Sequence, residues 1–337
     1  MSIHRLLHRS RFALLCIGAA MSSSLLGMNS VQEKVDATIV QAMQKMREYV
    51  GAFDFKAKLD MSAVGQPGVK TNFTGTAKSQ FVLDSTGILT VTEVDNKQSL
   101  NYTGFRTDTN DYYNVNMDSN QTALNYMAGK YIKPNVMKLT EPINRTTAET
   151  VFGKDGASTT TIRVPPNQAV FMEIENTKVG KVSGDVLKQL ISGPIKPARI
   201  NRKTDSPNPG ENYTRAHLLL QKLAGNFSTD DGYKVASRMV GEGRYLLTYV
   251  SEPAEYLIFT SYNSAGKFFQ QITVGSELPL PMYLQGPLQE DGSISMSDPF
   301  NPNGIKAVIT FEPNGDYSTT TSMGGQVVAE RTWRLKK

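Results

Sequence analysis

Side chains able to do chemistry are scarce in this chain. Of its three histidines, His4 and His8 lie in the first nine residues and His217 stands apart. A Ser-His-Asp triad would have to use His217, yet no G-x-S-x-G elbow accompanies any serine. His217 sits beside Leu218-Leu219-Leu220 in a helical pattern, where packing is the simpler role. The one cysteine, Cys16, lies inside an apolar run near the N-terminus. Asp108-Thr109-Asn110-Asp111, with Asn114, Asn116 and Asp118, has the donor types for calcium. It lacks the glycine and closing glutamate of an EF-hand, and a hairpin turn explains it better. Acids are abundant, but nothing marks out a pair for glycosidase work. Zinc motifs and a phosphate-cradling glycine loop are absent from the sequence. The expectation is therefore no catalytic residue, no metal and no cofactor, with a hydrolase the last of the functional readings.

The first segment bears on destination. Arg5, Arg9 and Arg11 precede the apolar stretch Phe12–Ala20, and small residues follow through Ser24. That order is the pattern of an export signal, assigned to residues 1–24, with cleavage after Ala20 or Ser24. A membrane anchor would need about 20 apolar residues, and Ser22-Ser23-Ser24 interrupts the run. Cys16 sits mid-run behind Leu14-Leu15, so lipid anchoring is not expected. The chain is expected to be exported, periplasmic or secreted, without a stable membrane span once the signal is removed. Loss of the three arginines from a total of 36 basic residues leaves 33 against 31 acidic ones, a net of +2. That is no footprint for nucleic acid, which calls for a clustered basic face. Without Cys16 there is no disulfide and no thiol chemistry. Asn72, Asn101, Asn144, Asn212 and Asn226 head Asn-x-Ser/Thr sites that matter only in a eukaryotic secretory route.

Hydropathy periodicity supplies the scaffold. Ile39, Ala42, Met43, Met46, Tyr49 and Val50 recur at helical spacing, predicting a helix over Thr38–Val50. After Gly51 the period becomes two: Phe53, Phe55 and Ala57 alternate with Asp54, Lys56 and Lys58. Strand patterns recur at Thr71–Val82, Gly87–Val94, Ser99–Phe105, Tyr112–Met117, Val136–Thr140, Ser158–Val164 and Ala169–Glu175. Many short strands between turn formers predict an antiparallel barrel or sandwich. Asp185–Ser192 is a second short helix, followed by a proline-rich stretch, then a helix over Tyr213–Ala224 and a renewed β pattern. The divisions are 1–24 signal, 30–180 first β domain, 181–212 helix and linker, and 213–337 second β domain.

The two halves repeat. Tyr49-Val50-Gly51-Ala52-Phe53 is echoed by Leu223-Ala224-Gly225-Asn226-Phe227, and an offset of 157 lays Leu100–Asn144 over Leu257–Asn301 without a gap. Glu141-Pro142 meets Asp298-Pro299, and Ser158–Thr161 reappears as Ser318–Thr321. A one-residue slip would turn every strand side chain to the other face, so preserved alternation is informative.

Leu220-Gln221-Lys222-Leu223-Ala224-Gly225-Asn226-Phe227 resembles the L-x-x-L-x-G-x-W opening of a bacterial family, domain of unknown function 1579. That family belongs with the calycins; Phe227 stands where its tryptophan usually is. Glu330–Arg334 resembles its terminal strand, which finishes on arginine; in the first half Lys178 takes that place. The resemblance covers residues 213–337 well and the first half more thinly. It implies a mainly β fold of two tandem antiparallel lipocalin-like barrels, each preceded by a short α-helix. Haem-binding relatives of that barrel class use a histidine near the chain end; Glu330–Leu335 has none, so no haem is expected. Physically, Gly-x-Phe lets the chain turn into the first strand while the ring plugs a barrel end. A cation on the last strand can then lie over the ring. The expected barrel-closing pairs are Lys178 with Phe53 and Arg334 with Phe227.

Parity from Gly225 onward groups Leu247, Tyr249, Leu257, Phe259, Ile272, Ile294 and Met296 on one face. Their repeat partners are Leu89, Val91, Leu100, Tyr102, Val115, Met137 and Leu139. These form either a filled core or an apolar cavity, since small barrels do both. Cavity candidates are Tyr102, Met117, Tyr126, Tyr249, Phe259, Tyr283 and Met296, with Tyr126 and Tyr283 expected at a mouth. The favoured reading is an exported non-enzymatic binding protein for a small apolar or amphipathic, lipid-like ligand. The alternative is a structural or interaction protein of the cell envelope with solid barrels. The sequence leaves oligomeric state open.

Overall fold

A computed structural model describes residues 37–119, 121, 123–195, 210–278, 280–301 and 303–336. The expected signal, 1–24, and linker residues 196–209 lie outside the described residues. Helix α1, Ala37–Gln44, buries Ile39, Ala42 and Met43. It is shorter than its periodicity predicts. The chain tightens into a 3-10 turn at Arg47–Tyr49 and is extended at Val50, which feeds the first strand.

The first barrel is a closed meander of ten antiparallel strands. They are β1 (Gly51–Asp60), β2 (Lys70–Val82), β3 (Gly87–Val94), β4 (Lys97–Arg106) and β5 (Asp111–Met117), then β6 (Asn125–Lys133), β7 (Val136–Thr140), β8 (Thr147–Phe152), β9 (Ser158–Val164) and β10 (Ala169–Gly180). β1 closes the ring by pairing with both β2 and β10, so no strand edge is left open. Strands β6 and β8 were not anticipated: Met127-Ala128-Gly129-Lys130 breaks the apolar alternation, and β8 has six residues. Helix α2, Val186–Ser192, follows this barrel, and its Val186 N–H donates to Gln80 Oε1 at 2.7 Å.

Helix α3, Gly210–Lys222, leads into a second closed ten-strand meander. Its strands are β11 (Gly225–Ser228), β12 (Lys234–Val240), β13 (Tyr245–Glu252), β14 (Tyr256–Asn263) and β15 (Phe268–Gly275), then β16 (Met282–Pro287), β17 (Ile294–Ser297), β18 (Ile305–Phe311), β19 (Tyr317–Met323) and β20 (Gln326–Leu335). The chain is thus mainly β, two closed antiparallel barrels in tandem with short helices before each.

The offset of 157 holds at the level of strand pairing. Tyr102 faces Val115 and Val115 faces Tyr126; Phe259 faces Ile272 and Ile272 faces Tyr283. Gly129 and Gly286 occupy one position twice: a Cβ at either would collide with a backbone carbonyl of the next strand, Lys138 or Ser295. The Ser-Thr-Thr-Thr echo does not hold. Ser158 pairs with Phe152 inside the first barrel, whereas Ser318 pairs with Thr332 on the face opposite Tyr317 and Trp333. The match is out of parity by one residue, and its likeness is compositional.

Candidate functional site: the lumen of the first barrel

Which face of each sheet looks inward follows from the helices and the pairing. Around α1 gather Ile88, Phe105, Tyr112, Met137, Leu139 and Phe152, from strands right around the ring, so their face is the lumen. Tyr112 Oη donates to Ala42 O of α1 at 2.9 Å. Following pairs from Phe105 and Tyr112 places Phe53, Phe55, Ala57, Phe73, Ala77, Val94 and Ile174 on the same inner face. Those seven form a second apolar cluster.

Between the two apolar clusters the inner face is polar, with neutral hydroxyls and amides and the half-buried Lys178 beside Phe53. Ser79 and Thr90 share a hydroxyl hydrogen bond of 2.9 Å, as do Thr150 and Thr160. Asn101 and Asn114 exchange amide hydrogen bonds of 2.6 Å, and Asn114 Nδ2 also donates to Thr103 Oγ1 at 3.1 Å. Thr92 and Asn116 continue the band. Thr90, Thr92, Asn101, Asn114, Asn116, Thr150 and Thr160 are half-buried, not sealed. Paired amides and hydroxyls retain donors and acceptors for a guest. No strand of either barrel turns a carboxylate inward, so the lumen can bind and orient but offers no acid–base pair.

The second lumen is packed over most of its strands, although Gln271, Thr319 and Thr321 on its inner face are half-buried. Phe227, Met239, Leu246, Tyr262, Phe269, Leu284, Ile294, Met296, Ile309, Tyr317 and Trp333 form one buried cluster with Leu219, Leu220 and Leu223 of α3. Ser237 and Thr248 repeat the 2.9 Å hydroxyl pair of Ser79 and Thr90, but both are buried.

The cavity candidates divide accordingly. Met296 faces inward and is packed solid. Tyr102, Met117, Tyr126, Tyr249, Phe259 and Tyr283 sit on the outer sheet faces, opposite to expectation, because each shares parity with a neighbour one residue from an inner position. Tyr102 and Tyr113 instead lie over Gly87 and Gly104, filling the space a side chain would take, and Tyr126 stacks on Tyr113 at 5.9 Å. Burial pushes the Tyr102, Tyr113 and Tyr126 hydroxyls up, against hydrogen bonds to Tyr102 and Tyr126 that lower them. Arg106 donates to the Tyr126 hydroxyl at 3.3 Å. Tyr283 Oη accepts from Gln270 at 3.0 Å on its own barrel's outer face, so neither tyrosine marks a mouth. Of the companion residues, Met137, Leu139 and Ile294 are inward; Leu89, Val91, Leu100, Val115, Leu247, Leu257 and Ile272 are outward.

The barrel-closing pairs also divide. Lys178 faces Phe53 in register; its Nζ lies 6.0 Å from the ring centroid and donates to Glu48 O at 2.7 Å. Phe227 is buried edge-on to Tyr317 at 4.9 Å. Arg334 does not cover it: odd residues of β20 point inward, and Arg334 is exposed, paired with Asp230. The inward cation is Arg331, which lies 4.2 Å over Tyr233 and binds Asp231 at 2.7 Å. Burial raises the Asp231 carboxyl, but hydrogen bonds from Arg331 and Thr229 outweigh it and hold it below its usual value. Burial pushes Tyr233 up to about 12.

His217 is buried, its Nδ1 3.0 Å from Tyr213 O and its ring 4.0 Å from that of Tyr213, a packing position on α3. Asp108 pairs with Arg106 at 2.8 Å, and Asn114 turns into the lumen, so the acidic hairpin is dispersed. Among the described residues no group of three His, Cys, Asp or Glu could hold a metal, and no helix is long and apolar enough to cross a membrane. A shallow concavity of about 430 Å³ lies outside β10, β1 and β2, lined by Asp54, Lys56, Thr74, Thr76, Glu175 and Thr177 among others. Its open, charged walls are those of a solvated sheet face.

The polar lumen residues were missed because alternation was read with apolar side chains inward. A signal was present: Thr90, Thr92, Asn101, Thr103, Asn114 and Asn116 carry no charge, unlike the Asp54-x-Lys56-x-Lys58 series that faces water. No protein-family model matches the chain, and no curated protein matches its sequence.

Proposed function

We propose that the chain is an exported, non-enzymatic binding protein whose first barrel takes a small, neutral amphipathic molecule. The observation that carries this is the half-buried Ser/Thr/Asn band set between two apolar clusters inside that barrel. A polar head can exchange hydrogen bonds with Asn101, Asn114, Thr150 and Thr160 while a short apolar part lies toward Phe55, Phe73 and Ile174. A cation is disfavoured, since no strand turns a carboxylate inward to compensate it and burying an uncompensated charge costs far more than a hydrogen bond returns. Export rests on the basic and apolar pattern of residues 1–24. Kinship with the calycins rests on the Leu220–Phe227 motif and belongs to the same proposal. The large buried apolar cluster of the second lumen favours the alternative role for that half, a scaffold.

Native mass spectrometry of the mature chain before and after solvent extraction tests this, followed by titration of the stripped protein with a monoacylglycerol. The expected result is one bound molecule per chain, weakened about tenfold by Asn114→Leu, the effect of removing one or two hydrogen bonds. An unchanged mass together with no uptake of the probe would sink the proposal.

A further inference from the structure

Strand pairing sets one inward residue from each of β2 to β6 of the first barrel in a single row: Ser79, Thr90, Asn101, Asn116 and Asn125. Each is the direct cross-strand partner of the next, and none carries a charge. The hydroxyl end of the row is satisfied, since Ser79 and Thr90 bond each other at 2.9 Å. Asn101 is held by its reciprocal pair with Asn114. The other end is different. Asn125 Oδ1 is buried, and no donor among the described residues reaches it. Asn116, half-buried, stands between the held amide and the orphaned one.

The second barrel carries the same row and shows what the fold itself requires. Its members, in the same pairing, are Ser237, Thr248, Ile258, Thr273 and Met282. The hydroxyl pair is kept, again at 2.9 Å. The three asparagines, at the offset of 157, become isoleucine, threonine and methionine, which leaves one hydroxyl between two apolar side chains. A closed ten-strand barrel therefore forms without an amide at any of those positions. A buried acceptor whose hydrogen bond is unmade costs stability, so Asn125 weakens the fold it sits in. Its use is to a molecule that brings a donor. An ionised carboxylate or phosphate head, or an ester, brings none. An amide presents an acceptor and N–H donors together, and its match is a hydroxyl, which both gives and takes a hydrogen bond. Cross-strand neighbours stand about 5 Å apart at Cβ, so Asn116 and Asn125 engage different hydroxyls.

We propose that Asn116 and Asn125 select a head group bearing adjacent hydroxyls, a glycerol- or sugar-like polyol, inside the first barrel. This names the head of the ligand already proposed for that lumen and rests on that reading. The test titrates the solvent-stripped mature chain with a monoacylglycerol and with its dimethyl ether, in which both head oxygens still accept but neither donates. The monoacylglycerol is expected to bind at least about tenfold tighter. The double variant Asn116→Thr, Asn125→Met places the second barrel's residues at those positions. Its preference between the probes should fall below about twofold, with a urea midpoint no lower than that of the wild type. Equal binding of the two probes by the wild type would overturn the polyol head and leave the lumen proposal standing. Binding of neither probe would sink both. A preference kept by the variant would overturn it as well, and so would a lowered midpoint, which would assign the two amides to the fold.

Discussion

Replacing Arg331 by methionine separates the inward cation of the second barrel from the outward one. Arg331 is 7% exposed, donates to Asp231 at 2.8 Å through Nε, and lies over Tyr233, itself fully buried. Removing one member of a buried ion pair costs about 3–5 kcal/mol when the other is stranded. Here the Asp231 side chain is 35% exposed and can rehydrate, which lowers that cost. Loss of the cation–π contact adds about 0.5–2 kcal/mol, and methionine keeps part of the apolar stem. The net expectation is a loss of about 2–4 kcal/mol. The only tryptophan, Trp333, stacks on Tyr317 at 5.8 Å and donates to Thr319 at 3.0 Å, so its fluorescence reports this barrel alone. With a urea slope of about 2 kcal/mol/M, the Trp333 midpoint should fall by about 1–2 M. Arg334→Met, which removes an exposed pair with Asp230, should leave the midpoint in place. A shift for Arg334→Met as large as that for Arg331→Met would refute the assignment of β20 parity.

Other expectations follow from the same geometry. Gly129→Ala and Gly286→Ala should each destabilise their own barrel by at least about 2 kcal/mol in urea melts, because the new Cβ meets backbone that cannot rotate away. Tyr112→Phe should cost about 1 kcal/mol and raise hydrogen exchange in α1, having removed the bond to Ala42 O. The Asp231 carboxyl is held below its usual value in the folded state, so its contribution is complete above the unfolded value of 3.8 and disappears as pH falls through the folded one. Acid titration of Trp333 emission should show that loss, and Arg331→Met should remove it.

Much of the fold is legible in the sequence, and the reasons lie in particular strands. In β1, Asp54, Lys56 and Lys58 can only face water, which forces Phe53, Phe55 and Ala57 inward. The ungapped offset of 157 matches β4–β7 to β14–β17 in register, since any insertion would have reversed the pleat. Sidedness fails where both faces of a strand lack charge. In β4, Leu100 and Tyr102 alternate with Asn101 and Thr103, and hydropathy alone sends the apolar set inward. Both faces of that strand are covered, so the usual contrast between core and solvent is absent. The Arg334 assignment failed for a related reason: a terminal basic residue was expected over the Phe227 ring, but parity turns Arg334 outward and the inward cation, Arg331, lies over Tyr233 instead.

The two barrels differ most in the band of half-buried neutral polar groups inside the first and the larger buried apolar cluster inside the second. Cys16 is the one cysteine of the sequence, so beyond residue 16 there is no native thiol. Thr160→Cys, on the half-buried inner face of β9, and Thr260→Cys, 4% exposed on the inner face of β14, can therefore be compared directly. The measurement is the rate of modification of each native protein by a small neutral methanethiosulfonate reagent. The account predicts that the Thr160→Cys thiol reacts at least about tenfold faster than the Thr260→Cys thiol, which should wait for unfolding. Equal protection of both, or faster reaction in the second barrel, would contradict it.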